Sequence, residues 1–263
     1  MNWVLVAALA VAGLLVGWCL RAVVAPLAVS AEHPLRTDCP GCGRRIVPEA
    51  GRPAPGQSHV ASVAGHPRWL AWFSVGRCAA CRARIGPPPL ALEIPAAVLF
   101  GALAARVHPG SVLAAACWLA ACSVALGYID VAVQRLPDLL TAPAYVGTAG
   151  LLLFAAASGG HWSYLLRAFL GGLALAVAYL LLVLASRSAI GLGDAKLAAS
   201  LGTMLAWLGW PTLLVGTFVS FLLAAVYGLA LLVARRVTLK QRIPFGPFMI
   251  AGTFLALLAG AAN

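Results

Sequence analysis

Eight apolar runs divide the sequence, at about 2–20, 90–106, 111–129, 139–157, 164–186, 195–209, 212–234 and 247–262. A helix that crosses a bilayer needs about 20 mainly apolar residues. Inside lipid, backbone polar groups must be satisfied within such a segment. The runs therefore predict an all-α, polytopic membrane bundle of about eight transmembrane helices. The second and sixth runs are short, which suits tilted or partly re-entrant segments. With 62% hydrophobic and only 10% charged residues, the chain is not an ordinary soluble domain.

The net charge of +11 does not point to nucleic acid, because of where the charges lie. Sixteen of the eighteen Lys and Arg residues fall in 21–84, at Arg135, Arg187 and Lys196, and in 235–242; only Arg106 and Arg167 occupy the alternate loops. The positive-inside rule makes the basic side cytoplasmic and places both termini outside. The opening MNWVLVAALA has no basic region before its apolar run. It reads as an uncleaved anchor and not as a secretory signal.

Three regions follow: an N-terminal anchor (1–29), a polar insertion (30–89) and the remaining membrane part (90–263). The insertion is rich in Arg, Pro and Gly and holds four of the seven cysteines, as CPGC (Cys39, Cys42) and CAAC (Cys78, Cys81). Two CxxC pairs suit a structural tetrathiolate zinc site, each pair gripping one edge of a tetrahedron. A reducing cytoplasm also favours metal over disulfide. The alternatives are unliganded thiols or redox pairs. Between the knuckles the chain reads as a loop, where His59 and His66 are candidate extra ligands. Cys19, Cys117 and Cys122 lie in apolar runs and read as packing residues.

Four of the seven acids, Glu93, Asp130, Asp138 and Asp194, stand at helix ends of the membrane part. Ionisable groups there are costly and are functional candidates. Asp138 follows Pro137 and is expected to cap the fourth span. Asp130 closes an apolar helix and has no capping role to explain it. Asp194, in GLGDAK, has capping as an alternative. Gly191 and Gly193 beside it allow close backbone approach or a positive φ. Two carboxylates from separate helices suggest aspartic-protease chemistry, in which the pair shares a proton. No Ser–His arrangement or HExxH competes, since the five histidines lie in loops or in the insertion.

In this order the motifs resemble those of the type IV prepilin peptidases, membrane aspartyl proteases of the GxGD kind. CPGC and GRCAAC resemble the family's knuckles, and PLALEIPAAVLFG resembles the segment after them, with Glu93. DVAVQRLPDLLT fits D-x6-PD, GLGDAK fits GxGD-x-K, and IPFGPFMIAG fits the terminal PFGP segment. The resemblance covers about 39–252. It implies a catalytic pair of Asp130 and Asp194. The activity it implies is cleavage of prepilin or pseudopilin leaders after a glycine, at the cytoplasmic face of a bacterial inner membrane. It also implies N-methylation of the new terminus from S-adenosylmethionine, and partnership with pilus or secretion assembly machinery. GLLVGWCLRAVVAPL lacks the family's asparagine and YRLP-like sequence, and the stretch between the knuckles is longer than usual.

The supporting residues have two readings each. Lys196 is expected to anchor at the interface or to tune Asp194. Pro244, Phe245, Gly246 and Pro247 are expected to form a rigid non-helical turn, starting the last span or shaping a substrate groove. Glu93 is expected to support the knuckle–bundle junction or to cap its helix. Two other functions remain open: a proton-coupled transporter using buried aspartates, and a non-catalytic zinc-bearing scaffold. The first lacks an inverted repeat, and the second leaves Asp130 unexplained.

Overall fold

A computed structural model describes residues 2–29, 39, 41–43, 77–78, 80–108, 110–185, 191–235 and 244–260. Most of the stretch between the knuckles, with His59 and His66, lies outside the described residues.

Among the described residues, eight α-helices follow one another: α1 (Trp3–Leu27), α2 (Glu93–Arg106), α3 (Ser111–Val133), α4 (Asp138–Gly159), α5 (Trp162–Ala185), α6 (Leu192–Leu208), α7 (Trp210–Val233) and α8 (Gly246–Gly260). They fall where the apolar runs predicted them. Five of them, α1, α3, α4, α5 and α7, are long and apolar enough to cross a membrane, which makes this a multi-pass membrane protein. The others have 14 (α2), 17 (α6) and 15 residues (α8). At about 1.5 Å per residue each is shorter than the roughly 30 Å hydrocarbon core.

The short α6 is central. It packs on α3, α4, α5, α7 and α8, and twelve of its 17 residues are buried. Protein, and not lipid, surrounds it, so it need not be uniformly apolar. Its last carbonyls are also satisfied. Arg167 of α5 donates from Nε to Ala206 O (2.7 Å) and from Nη2 to Trp207 O (2.6 Å). A cation at a helix C-terminus also complements the dipole.

At the other side of the bundle, α1 lies against α2 at close range. A Cβ on Gly17 would sit 2.5 Å from Glu93 Cα, and one on Gly13 would sit 2.6 Å from Ala96 O. Small residues four apart let membrane helices approach in this way. Beside this crossing Arg21 Nε lies 2.9 Å from Glu93 Oε1, with both side chains buried. Glu93 Oε2 also accepts the Leu92 N–H at 3.3 Å. Glu93 is the first helical residue and not the cap of α2: Leu92 holds that position and no side-chain cap bond is made. The carboxylate instead joins α2 to α1. Breaking a buried pair costs about 3–5 kcal/mol, because one charge stays behind uncompensated, whereas an apolar replacement of both is close to neutral. Arg21→Met is therefore expected to lower the unfolding midpoint in detergent, and Arg21→Met with Glu93→Leu to recover most of it. Equal losses in the single and double variants would contradict the pairing.

Candidate active site and metal centre

The C-terminal turn of α3 and the first turns of α4, α6 and α8 meet at one end of the bundle. Asp130 lies in the last turn of α3 and is 5% exposed; Asp194 is the third residue of α6 and is 7% exposed. Each carboxylate is within electrostatic reach of the other. An acid near a helix C-terminus faces the negative end of that helix dipole, so Asp130 needs an outside partner. It has one in α8, where the Gly246 N–H donates to Asp130 Oδ2 at 2.9 Å. Asp194 reaches back across its own first turn, its Oδ2 accepting the Gly191 N–H at 3.0 Å. Both carboxylates are therefore held at helix N-termini, where orphan N–H groups and the dipole favour an anion. In each, the described hydrogen bond uses Oδ2.

Of the two expected roles of these glycines, close approach is seen at Gly193 and positive φ at neither. Gly191 takes an extended conformation, φ −91°, so positive φ is not its role. Gly193 packs against Leu136, to which a Cβ would come within 2.8 Å, and so fits α6 to the α3–α4 connection. The glycine with the closest bearing on the carboxylates is Gly246. A Cβ there would stand 2.7 Å from Asp130 Oδ2 and 3.2 Å from its Cγ. Gly246→Ala must therefore displace the Asp130 carboxyl. A misplacement on the order of 1 Å costs roughly 10²-fold in rate, and a loss of that size in kcat is expected of this variant. Cleavage at the wild-type rate would contradict the contact.

Two further expectations are corrected. Asp138 does not cap α4: Pro137 holds the cap position and no side chain bonds there. Asp138 is the first helical residue, and its Oδ1 meets Lys196 Nζ at 2.6 Å, linking the N-termini of α4 and α6. That pairing gives Lys196, whose side chain is half exposed, a partner that neither of its readings named. In the PFGP segment only Pro244 and Phe245 are non-helical, while Gly246 and Pro247 open α8. Phe245 O accepts from the N–H groups of Phe248 and Met249, as a helix start requires. Pro247 in the first turn loses no intrahelical bond.

Two residues escaped the sequence reading. Tyr179 of α5 is 2% exposed and within electrostatic reach of Asp194. Its ring packs with Phe221 and Phe245, at centroid distances of 5.8 and 6.0 Å, and so walls this end of the bundle. Arg21 is the other. A lone cation inside an apolar helix was the available signal for it.

The knuckles converge as predicted. The Sγ atoms of Cys39, Cys42, Cys78 and Cys81 all lie within 4.8 Å of one another. Cys39 and Cys81 are 3.5 Å apart and Cys42 and Cys78 3.8 Å, far longer than the roughly 2.05 Å of a disulfide. Each knuckle turns in the same way. The residue after the second cysteine, Gly43 (φ 66°) or Arg82 (φ 57°), is left-handed. Its N–H returns to the carbonyl of the first cysteine at 2.9 Å in both cases. The Cys81 and Ala80 N–H groups draw the Cys78 thiol down to about 6. The Ala83 N–H lowers Cys81, but the Cys39 sulfur and burial outweigh it and push Cys81 up to about 12. One thiolate thus resists the next, a repulsion that a bound cation removes. A tetrahedron with metal–sulfur bonds of about 2.3 Å has edges of about 3.8 Å. Two of the sulfur–sulfur distances, 3.5 and 3.8 Å, match that edge and all lie within 4.8 Å, so the cluster could hold a metal ion.

Residues 113–229 match the type IV leader peptidase family. A prepilin leader peptidase/N-methyltransferase of Aeromonas salmonicida is 36% identical over 200 residues, covering 73% of this chain and 64% of that protein. Proteins of the same name from Burkholderia pseudomallei and Pseudomonas aeruginosa are 30% and 31% identical, over 86% and 84% of this chain and 67% and 71% of theirs. The chain spans about two thirds of the length of these relatives. No solved structure matches.

Proposed function

Because the chain belongs to the type IV leader peptidase family, we propose that it is a membrane aspartyl endopeptidase. Its substrates would be prepilins or pseudopilins, cut after a glycine at the cytoplasmic face. The observation that carries this reading is the pair of buried carboxylates, Asp130 and Asp194, held at the N-termini of α8 and α6 at one end of the bundle. Together they share one proton. The ionised carboxylate takes a proton from water as its oxygen attacks the scissile carbonyl carbon, and the protonated carboxyl gives its proton to the carbonyl oxygen. A tetrahedral diol results. It collapses with proton return to the leaving amine, and the C–N bond breaks. Attack needs extended backbone, and a glycine before the cut eases local unwinding.

We extend the proposal to two accessory features. The four knuckle cysteines would hold a structural zinc ion, which supplies cross-linking and no chemistry. N-methylation, the second activity in the relatives' names, would follow on the new terminus with S-adenosylmethionine as methyl donor. No described residue is assigned to that donor.

The test is mass spectrometry of a purified prepilin after incubation with the purified chain. The expected result is loss of the leader at a single bond after glycine. Addition of S-adenosylmethionine is expected to raise the mature product by one methyl group. An intact prepilin would contradict the peptidase reading, and a cut but never methylated one would contradict only the second activity.

A further inference from the structure

The two carboxylates are held by different helix pairs. α5 and α6 are closely fitted: a Cβ on Gly202 would stand 3.1 Å from Gly172 Cα and 3.2 Å from Gly171 O. Of this pair, α6 carries Asp194. α7 and α8 are fitted in the same way, since a Cβ on Gly252 would stand 2.6 Å from Ser220 N and 2.7 Å from Gly216 O. Small residues at such crossings let helices approach closely. Of this second pair, α8 carries the Gly246 N–H that meets Asp130 at 2.9 Å. α7 touches α6 where a Cβ on Gly216 would come within 2.7 Å of Leu205 Cδ1, but Leu205 lies three turns past Asp194, about 16 Å along the helix. Among the described residues, α5 packs on α4 and α6 and not along α7 or α8.

Near the carboxylates a long side chain spans that gap. Tyr179 of α5 is 2% exposed, although Val177, Leu180 and Leu181 around it are exposed. Its ring lies 6.0 Å from that of Phe245 and 5.8 Å from that of Phe221 in α7, and those two rings are 5.2 Å apart. All three separations fall within the roughly 4.5–7 Å of favourable aromatic pairs, so the rings form a closed cluster. Phe245 immediately precedes Gly246. Its carbonyl accepts from the Phe248 and Met249 N–H groups, which ties its ring to the first turn of α8. The Gly246 N–H, at the head of that helix, has no intrahelical partner, and glycine has no side chain to seat it. Pro244 and Pro247 restrict the backbone on either side. Where that N–H points is therefore set by where the Phe245 ring is seated.

We propose that Tyr179 is a positioning residue of the carboxylate pair: its ring seats Phe245 against the α5–α6 unit and so keeps the Gly246 N–H on Asp130, in register with Asp194. This rests on the peptidase reading above and deepens it, by naming what aligns two carboxylates that separate helix pairs hold. Tyr179 acts through Phe245 and Gly246, and its place within electrostatic reach of Asp194 agrees with a position between the two units.

The test compares the full wild-type chain with Tyr179→Leu, Phe245→Leu, the double variant and Tyr179→Phe, by prepilin cleavage and by hydrogen exchange. A shift on the order of 1 Å costs roughly 10²-fold in rate, so each leucine variant is expected to lose about that in kcat while KM stays within about threefold. The double variant should be no slower than the slower single, within about threefold. Tyr179→Phe keeps the ring and is expected to restore kcat to within about threefold of wild type. Pro244 and Pro247 carry no amide hydrogen, so exchange over 244–247 reports Phe245 and Gly246 alone. It should quicken about tenfold in Tyr179→Leu, with the first turn of α6 unchanged. Wild-type kcat in Tyr179→Leu, or a raised KM at unchanged kcat, would overturn the proposal. Tyr179→Phe as slow as Tyr179→Leu would move the effect from the ring to the hydroxyl and overturn it too. So would unchanged exchange over 244–247, or faster exchange throughout α5 and α6, which would mean that the rings only hold the fold. Failure of the peptidase reading shows separately, as prepilin left intact by the wild-type chain, while the exchange comparison still decides the ring contact.

Discussion

Asp130→Asn and Asp194→Asn each leave prepilin uncut, with cleavage rates down roughly 10³-fold or more, the upper range for loss of a positioned acid or base. Asparagine is nearly isosteric, and its amide oxygen can still accept the Gly246 or Gly191 N–H that now reaches each carboxylate. The helix starts are therefore preserved while the ability to take or give a proton is lost. Accumulated precursor in cells expressing either variant, beside mature pilin in the wild type, is the readout. Asp138→Asn is the informative contrast. Asp138 shares the same end of the bundle, but its side chain is 72% exposed and its partner is Lys196. Losing such a surface pair costs at most about 1 kcal/mol, so this variant is expected to cut normally. A cleavage defect in Asp138→Asn as deep as that of Asp130→Asn would mean that the wrong pair has been chosen.

The second large effect concerns metal. The purified chain is expected to carry about one equivalent of zinc, falling to near zero in Cys39→Ser. Cys39 is 2% exposed, and its sulfur stands 3.5 Å from that of Cys81, so a hydroxyl there opens the tetrahedron at its buried side. Metal binding by thiolates releases protons. With Cys81 pushed up to about 12, zinc affinity already falls as the pH drops through neutrality, and it falls more steeply below about 6, where Cys78 also protonates. Elemental analysis across a pH series checks both points. Metal-free wild-type protein with its fold intact would contradict the zinc site.

What was legible in the sequence was whatever a local pattern encodes. The apolar runs give the helices because the bilayer demands a length and an internal hydrogen-bond ladder. The CxxC spacing gives the knuckles because two cysteines three apart can turn onto one metal. Asp130 and Asp194 could be placed at one end of the bundle by counting crossings. Contacts between distant segments were not legible. Gly246 is 116 residues from Asp130, and nothing near IPFGPF signals that its first helical N–H will meet a carboxylate from α3. The same holds for Lys196 with Asp138, 58 residues apart, where local capping logic favoured the wrong partner for Asp138. The α1–α2 contact lies between these cases. Gly13 and Gly17 form a GxxxG spacing, with Arg21 one turn further on, so a cation and a close-packing face were both in view. The Glu93 that completes them could be found only in three dimensions.

The central claim is that the two carboxylates act as one unit around one proton. Single-turnover cleavage of purified prepilin by Asp130→Asn, Asp194→Asn and the double variant tests it most directly, because groups that work as a unit are grossly non-additive. The account predicts that the double variant is no slower than the slower single, within about threefold. Losses that multiply in the double variant, or a near-wild-type rate in either single, would contradict it.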